Sequence, residues 1–306
     1  DTLRMDVVPF LKAVRESGKP LAASTFVHRD AAAQAMRAAG VPVTDDPQAA
    51  VRALAALCFA ARVVARPAWV EADVQGSANE DAAALAAAYG VTPGGNPRAL
   101  DEACSKRLLA ARGLSIPDER SVMTFDDAAA AAATLGWPVV LKGIPEGVAH
   151  KSEAGLVHLR LLDLGALRAA WEAIEAAAPG CPRLVAPMLE GARELLAGLS
   201  HEPGFGPVVT LGLGGVFAEA LDDTCARVAP LSRAEARAMV DGLRARALFA
   251  ETRGLAALDR DALADLLVGL GRVGLDLPWV REVDLNPIVV DSQGTPRVAD
   301  ALVVVG

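Results

Sequence analysis

Three oxygen-bearing residues stand in the last two apolar runs of the chain, Asp284 and Asn286 in "EVDLNPIVV" and Asp300 in "VADALVVV". Between the runs lies the turn signal "DSQGT", in which Gly294 can take a positive φ. A hairpin centred on Gln293 pairs residues whose numbers sum to 586, which sets Asn286 opposite Asp300. Directly opposed side chains on one sheet face have Cβ atoms about 4.5–5.5 Å apart. Asp284 falls on the same side of its strand by alternation. One amide oxygen and one carboxylate at that spacing suit a hard cation such as Mg²⁺, which takes one or two protein ligands and fills its shell with water and phosphate oxygens. Ordinary solvated residues on an exposed sheet face are the competing reading.

Upstream, "WPVVLKG" ends an apolar strand on Lys142, and eight residues later comes "HKSEAG", residues 150–155. Strand, small-residue loop and strand make a flap able to close over phosphates, with donors at Lys151 and Ser152 and Lys142 at its base. His150 is either a solvated loop histidine or a nucleophile accepting a phosphoryl group on a ring nitrogen. Glu194 in "GARELLAGL" either bonds a ribose or a metal, or edges a strand; Gly214 and Gly215 in "GLGG" make a tight turn or a close approach to phosphate. Arg227 pairs either with phosphate or with Asp222 or Asp223. There is no GxxxxGK[ST] and no GxGxxG after a strand, so P-loop and Rossmann sites are excluded.

These residues need two sheets to carry them. The segment 1 to about 70 alternates helix and strand: a helix near 4–17, the strand "KPLAAST", a helix 30–39 stopped by Gly40, the strand "VPV" and a helix from Pro47. Two such strands are too few for a doubly wound sheet, so the chain is expected to begin inside a domain, in agreement with its lack of an initiator Met. "GSANEDAAALAAAYGVTPGGNP", residues 76–97, reads as a linker. Beyond it the pattern predicts helices at 101–112, after Thr124, up to Ala178, from the Ser232/Glu235 capping box to about Phe249, and from Asp259 to about Leu275. Strands are expected in "ERSVMT", "PVVLK", "LVHLRL", "RLVAPM", "ELLAGL", "PVVTLGL", "VFAEAL" and the terminal pair. Short turns join many of them, which gives an α/β beginning followed by an α+β domain.

Composition narrows the partners. With a net charge of −8, pI near 5.1 and 4% aromatic residues, the 306-residue chain has neither the field nor the stacking surface for nucleic acid. Its mean hydropathy of +0.31 comes largely from alanine, and arginines break its long apolar runs, so no membrane span is expected. The opening has no signal-peptide pattern, and Cys58, Cys104, Cys181 and Cys225 have no metal or redox spacing; a reducing cytoplasm is expected.

The ordered set "PVVLKG", "HKSEAG", "PMLEGARELLAGLSHEPGFGPVVTLGLGGVFAEAL", "RVAPL", Arg253–Gly254 and "EVDLNPIVV" with "VADALVV" resembles the ATP-grasp domain of NDP-forming acyl-CoA synthetases, the ADP-forming acetate:CoA ligase family related to succinyl-CoA synthetase. The resemblance implies a partial flavodoxin-like CoA-ligase domain with linker over 1–92 and an ATP-grasp domain over 98–306. It further implies Mg²⁺ with ATP or ADP as cofactors, Lys142 on phosphate, Glu194 near the nucleotide, the Asn286 and Asp300 pair on metal, and His150 as a second phosphoryl carrier after a histidine of the ligase domain; the residue reading adds Lys151, Ser152, Gly214, Gly215 and Arg227 as nucleotide contacts and Asp284 as a metal ligand. CoA and a carboxylic acid would engage through upstream domains, in an oligomer. Three places depart from the family pattern: Leu156 stands where a second glycine is common, Ala186 stands where Gln is common, and "FAETRG" replaces a glycine-containing version of that stretch. A non-catalytic regulatory module, as in fusions to an acetyltransferase, is the alternative.

Overall fold

The computed structural model describes residues 7–25, 31–64, 80–145, 154–215, 221–252 and 254–306. Chain contacts divide it into two compact units, Asp1–Val70 and Glu71–Gly306.

The smaller unit is a β-α-β arrangement. α1 (Val8–Ser17) precedes β1 (Ala23–Ser24), α2 (Ala31–Ala38), β2 (Val43–Thr44) and α3 (Pro47–Val64). β1 and β2 pair in parallel with Ala23 against Val43, and α2 is the crossover that a parallel pair requires. Asp46 caps α3 through bonds from the Gln48 and Ala49 amides.

In the larger unit, α4 (Glu80–Ala88) lies inside the stretch read as a linker, and chain contacts divide the two compact units at 70/71. The alanine-rich segment lacks a wide apolar stripe, yet Ala86 and the following Val91 join the main core, and Ala82 O accepts a bond from the Trp279 indole. Small side chains let the helix approach closely, so the face it buries carries little hydrophobic pattern.

Two antiparallel sheets follow. The four-stranded sheet runs β4-β7-β5-β6, with β4 Arg120–Val122, β5 Val139–Gly143, β6 Val157–Leu161 and β7 Arg183–Pro187. α6 (Phe125–Leu135, capped by Thr124) and α7 (Leu164–Ala177, capped by Asp163) cover one face. Val139, Leu141, Leu161 and Val185 point into that core with Ala128, Leu167 and Ile174. Leu156, the residue in place of a glycine, is 2% exposed and belongs to the same core, so it anchors the strand entrance.

The seven-stranded sheet is ordered β10-β9-β8-β11-β13-β3, with β12 also paired to β11. Its strands are β3 (Arg98–Ala99), β8 (Arg193–Glu202), β9 (Gly206–Leu213), β10 (Thr224–Val228), β11 (Val280–Val290), β12 (Pro296–Val298) and β13 (Ala301–Val305). The sequence places a strand in 216–221 where residues 216–220 lie outside those described; the strand that pairs with β9 is at 224–228. α8 (Arg233–Gly242) keeps its Ser232/Glu235 capping box but stops at Gly242, and a 3₁₀ turn takes over at Arg246–Phe249. α9 (Arg260–Asp276, capped by Asp259) packs with α8 over one face of this sheet. α5 (Glu102–Ala111, capped by Asp101) sits against β13, where Ser105 Oγ accepts the Val303 amide at 3.0 Å.

The terminal hairpin keeps the expected register. Ile288 faces Val298 and Leu285 faces Ala301, both summing to 586, and the return strand is split into β12 and β13 around Ala299–Asp300. Gly294 has φ +87°, and a Cβ there would collide with the Ala257 carbonyl, so the turn tip docks on a loop that only glycine can approach so closely.

Candidate active site between the two sheets

Strand alternation decides what lines the space between the sheets. Val139 and Leu141 are committed to the core beneath α6 and α7, so Val140 and Lys142 face the other way. Val157 and Leu159 of β6 and Ala186 of β7 do the same. Across from them stand Glu194 of β8, Pro287 and Val289 of β11, and Ala299–Asp300; Glu194 and Val289 are register partners. Together they enclose a pocket of roughly 270 Å³, apolar at Val140, Ala186, Met188 and Leu189 and charged at Lys142, Asp300, Glu194 and Glu119. A flat apolar body with an anionic tail fits such a cleft. Ala186 puts a methyl group, with no side-chain hydrogen-bonding capacity, on its wall.

Lys142 is held by a buried ionic cluster. Its ammonium bonds Glu102 Oε1, donates to the Ala299 carbonyl at 3.0 Å and lies 3.7 Å from Asp300 Oδ2. Burial would lower the Lys142 pKa, but Glu102 first and then Asp300 outweigh it and raise it, so the amine is charged at neutral pH. Lys106 joins the same Glu102 oxygen at 3.0 Å, Glu119 Oε1 at 2.5 Å and the Ala299 carbonyl at 2.8 Å. Burial raises the Glu119 carboxyl, against the pull of Lys106 and Lys142.

Of the metal-ligand candidates, Asp300 lines the opposite wall, whereas Asn286 and Asp284 are not among the residues that line the pocket. The Asn286 amide donates to the Asp300 carbonyl at 3.3 Å, so the two residues stand opposite each other as the register requires. Asp284 is half-buried, and its carboxyl is raised by burial first and then by Glu282 and Asp300. Accumulated negative charge at the cleft edge fits a divalent cation, which would relieve it. Among the described residues no group of three or more His, Cys, Asp or Glu could hold a metal. Its coordination would therefore need phosphate or water oxygens as well.

Gly214 and Gly215 lie against Glu194. The Gly214 amide donates to the Glu194 carbonyl at 2.9 Å, and Gly215, at φ +84°, would place a Cβ 3.5 Å from Glu194 Oε2. His150, Lys151 and Ser152 fall outside the described residues. Arg227 is not brought to the pocket. It pairs through β9 to the Leu199 level of β8, five residues from Glu194 and so about 16 Å along the strand. Its guanidinium donates to the Ala226 carbonyl at 2.7 Å, while Asp223 is taken by the Arg244 and Ala245 amides at 2.8 and 2.7 Å.

Sequence reasoning missed Glu102, Lys106 and Glu119. A signal existed: Glu102, Ser105, Lys106 and Leu109 share one helical stripe, and all four are buried. It also missed Arg193, whose guanidinium donates to the carbonyls of Leu248, Ala250 and Ala256 and ties that loop to the start of β8.

Residues 94–305 match the family model described as an ATP-grasp domain. The chain belongs to the ATP-grasp family. Curated relatives of this ATP-grasp chain include the acetate–CoA ligase [ADP-forming] I of Archaeoglobus fulgidus, 32% identical over 271 residues. That match covers 87% of this chain and 39% of the relative, so the chain spans well under half of that ligase. The beta subunit of acetate–CoA ligase [ADP-forming] II of Pyrococcus furiosus is 35% identical over 198 residues, covering 62% of this chain and 84% of the subunit. Among solved structures, the dinucleotide forming acetyl-coenzyme A synthetase 1 of Ca. Korarchaeum cryptofilum superposes with a TM-score of 0.63 at 31% identity. The superposition covers 75% of this chain and all of that one. That protein is in complex with coenzyme A and Mg-AMPPCP, its phosphohistidine segment pointing towards the nucleotide binding site. No described helix of the present chain is long and apolar enough to cross a membrane.

Proposed function

We propose that this chain is the nucleotide-binding, phosphoryl-transferring part of an ADP-forming acyl-CoA synthetase, acting in the reversible reaction acid + CoA + ATP = acyl-CoA + ADP + phosphate. The observation that carries the proposal is the convergence of Lys142, Asp300 and Glu194 on one apolar-walled pocket between the two sheets. The base lies among Val140, Ala186, Met188 and Leu189, Glu194 accepts bonds from the ribose, and the phosphates reach Lys142. Gly214 and Gly215, with Lys151 and Ser152, approach the phosphates by backbone and side-chain donors. Asp300 and Asn286, with Asp284, would hold magnesium, which would supply neutralisation of phosphate charge.

In the transfer step a ring nitrogen of His150, or of a histidine on an upstream domain, attacks the terminal phosphorus. The N–P bond forms as the bond to the bridging oxygen breaks, and ADP leaves. Lys142 stabilises the charge on the transferring group from a site already stripped of water. The match to the Archaeoglobus ligase covers 87% of the chain and therefore extends ahead of residue 94, which supports reading the β-α-β unit as the end of a CoA-ligase domain. CoA and the acid then engage upstream regions, in cis or on a second subunit, within an oligomer. Four unpaired cysteines accord with a reducing, cytoplasmic setting.

Calorimetric titration with Mg-ADP tests the reading, alongside the Asp300→Ala variant. Binding that weakens by about tenfold or more in the variant is expected. No binding by the parent chain, or binding indifferent to the substitution, overturns it.

A further inference from the structure

The two lysines of the buried cluster are not equivalent, and the difference assigns work to residues behind the pocket. An ammonium group carries three protons. Lys106 Nζ has three protein oxygens within reach, on Glu102, Glu119 and Ala299, and its side chain is 3% exposed. It has nothing left for a ligand. Lys142 Nζ uses two protons, on Glu102 and on the same Ala299 carbonyl. Asp300 Oδ2, at 3.7 Å, lies beyond hydrogen-bond distance, so among the described residues one Lys142 proton remains to address the pocket.

We infer that Glu102 is a positioning residue for Lys142, and that Lys106 is the counter-charge that holds Glu102 in place. The inference rests on the nucleotide reading of the pocket. Glu102 is 1% exposed and lies on α5, which packs on β13, whereas Lys142 belongs to β5 of the other sheet. The carboxylate therefore fixes the lysine tip relative to Asp300, with the Ala299 carbonyl as second support. Without this two-point mount the lysine tip is drawn onto Asp300, where it neutralises the carboxylate meant for the cation. Lys106 matters because it bonds both Glu102, at 3.0 Å, and Glu119, at 2.5 Å, and so ties the carboxylate that holds Lys142 to the rest of the buried cluster.

The distinguishing prediction is selectivity for the charged end of the ligand. Titration calorimetry with Mg-ADP and with adenosine is carried out on the parent chain, Glu102→Gln, Lys142→Met and the double variant. Glu102→Gln should weaken Mg-ADP about 10- to 100-fold and adenosine by no more than about twofold. In the Lys142→Met background the same substitution should add less than about threefold, because its effect acts through Lys142. Equal loss of both ligands shows a merely structural role and overturns the inference, as does an undiminished loss in the Lys142→Met background. Glu102→Asp, which keeps the charge on a side chain one methylene shorter, should show the same ligand preference and serves if the glutamine variant does not fold. A parent chain that binds adenosine and Mg-ADP equally, or neither, fails at the nucleotide reading itself, before any variant is compared, and the inference falls with it.

Discussion

Replacing Lys106 by methionine removes one cation from a nearly dry cluster, and its cost follows from the count of groups left behind. The methionine fills a similar volume, so packing changes little. What is lost is the donor to Glu102 at 3.0 Å, to Glu119 at 2.5 Å and to the Ala299 carbonyl at 2.8 Å. The Glu102 and Glu119 side chains are 1% and 10% exposed, so water does not replace the missing partner. Breaking a buried pair in this way costs about 3–5 kcal/mol, which lowers a melting temperature by roughly 6–20 °C for a unit of this size. The pH dependence supplies a second signature. Burial already raises the Glu119 carboxyl above its ordinary value, and without Lys106 the rise is larger. A raised folded-state carboxyl binds more protons than the unfolded one, so stability falls as pH rises from the ordinary glutamate value through the folded value. The deficit of Lys106→Met against the parent should therefore be smaller near pH 5 than near pH 8. Urea unfolding followed by tryptophan fluorescence at both pH values measures it, since Trp137, Trp171 and Trp279 all report on the larger unit. A melting shift under about 2 °C, or a deficit that does not change with pH, refutes the reasoning.

Three further outcomes are expected. Gly294→Ala should destabilise by about 2 kcal/mol or more in urea titration, because the site combines a positive φ with a Cβ collision against a backbone carbonyl. For Asp223, burial acts upward, but the Ala245 and Arg244 amides and the Arg244 guanidinium hold the carboxyl below its usual range, so its contribution is present above the unfolded value and lost as pH falls through the folded one. Asp223→Asn should flatten the acid limb of the melting profile, and an unchanged limb counts against that assignment. Arg227→Ala should leave Mg-ADP affinity within about twofold by calorimetry, because the register puts it at the Leu199 level of β8, away from Glu194 and the pocket; a tenfold loss would bring it back to the nucleotide.

The local signals in the sequence were reliable where the physics is local. Asp101, Thr124, Asp259 and the Ser232/Glu235 box cap the helices they precede, because a cap involves residues no more than three apart. The 586 register of the terminal hairpin was readable because the turn residues and the alternation fix it together. The linker reading of 76–97 failed at α4, whose alanines bury a face without displaying an apolar stripe.

The linear chain by itself offered candidates for a nucleotide site: Lys142 at the end of an apolar strand, Asn286 and Asp300 by hairpin pairing, and Gly214 and Gly215 as a tight turn or a close approach to phosphate. Tertiary structure alone decided that Lys106 reaches the Ala299 carbonyl across 193 residues and that Glu102 serves two lysines. It also decided that Arg227 stays on its own strand. Charged residues are mostly solvated, so a single sequence gives a buried Glu or Lys no special mark. Only the packing of α5 against β13, beside a strand from the other sheet, removes water from that stripe and makes each charge depend on the others.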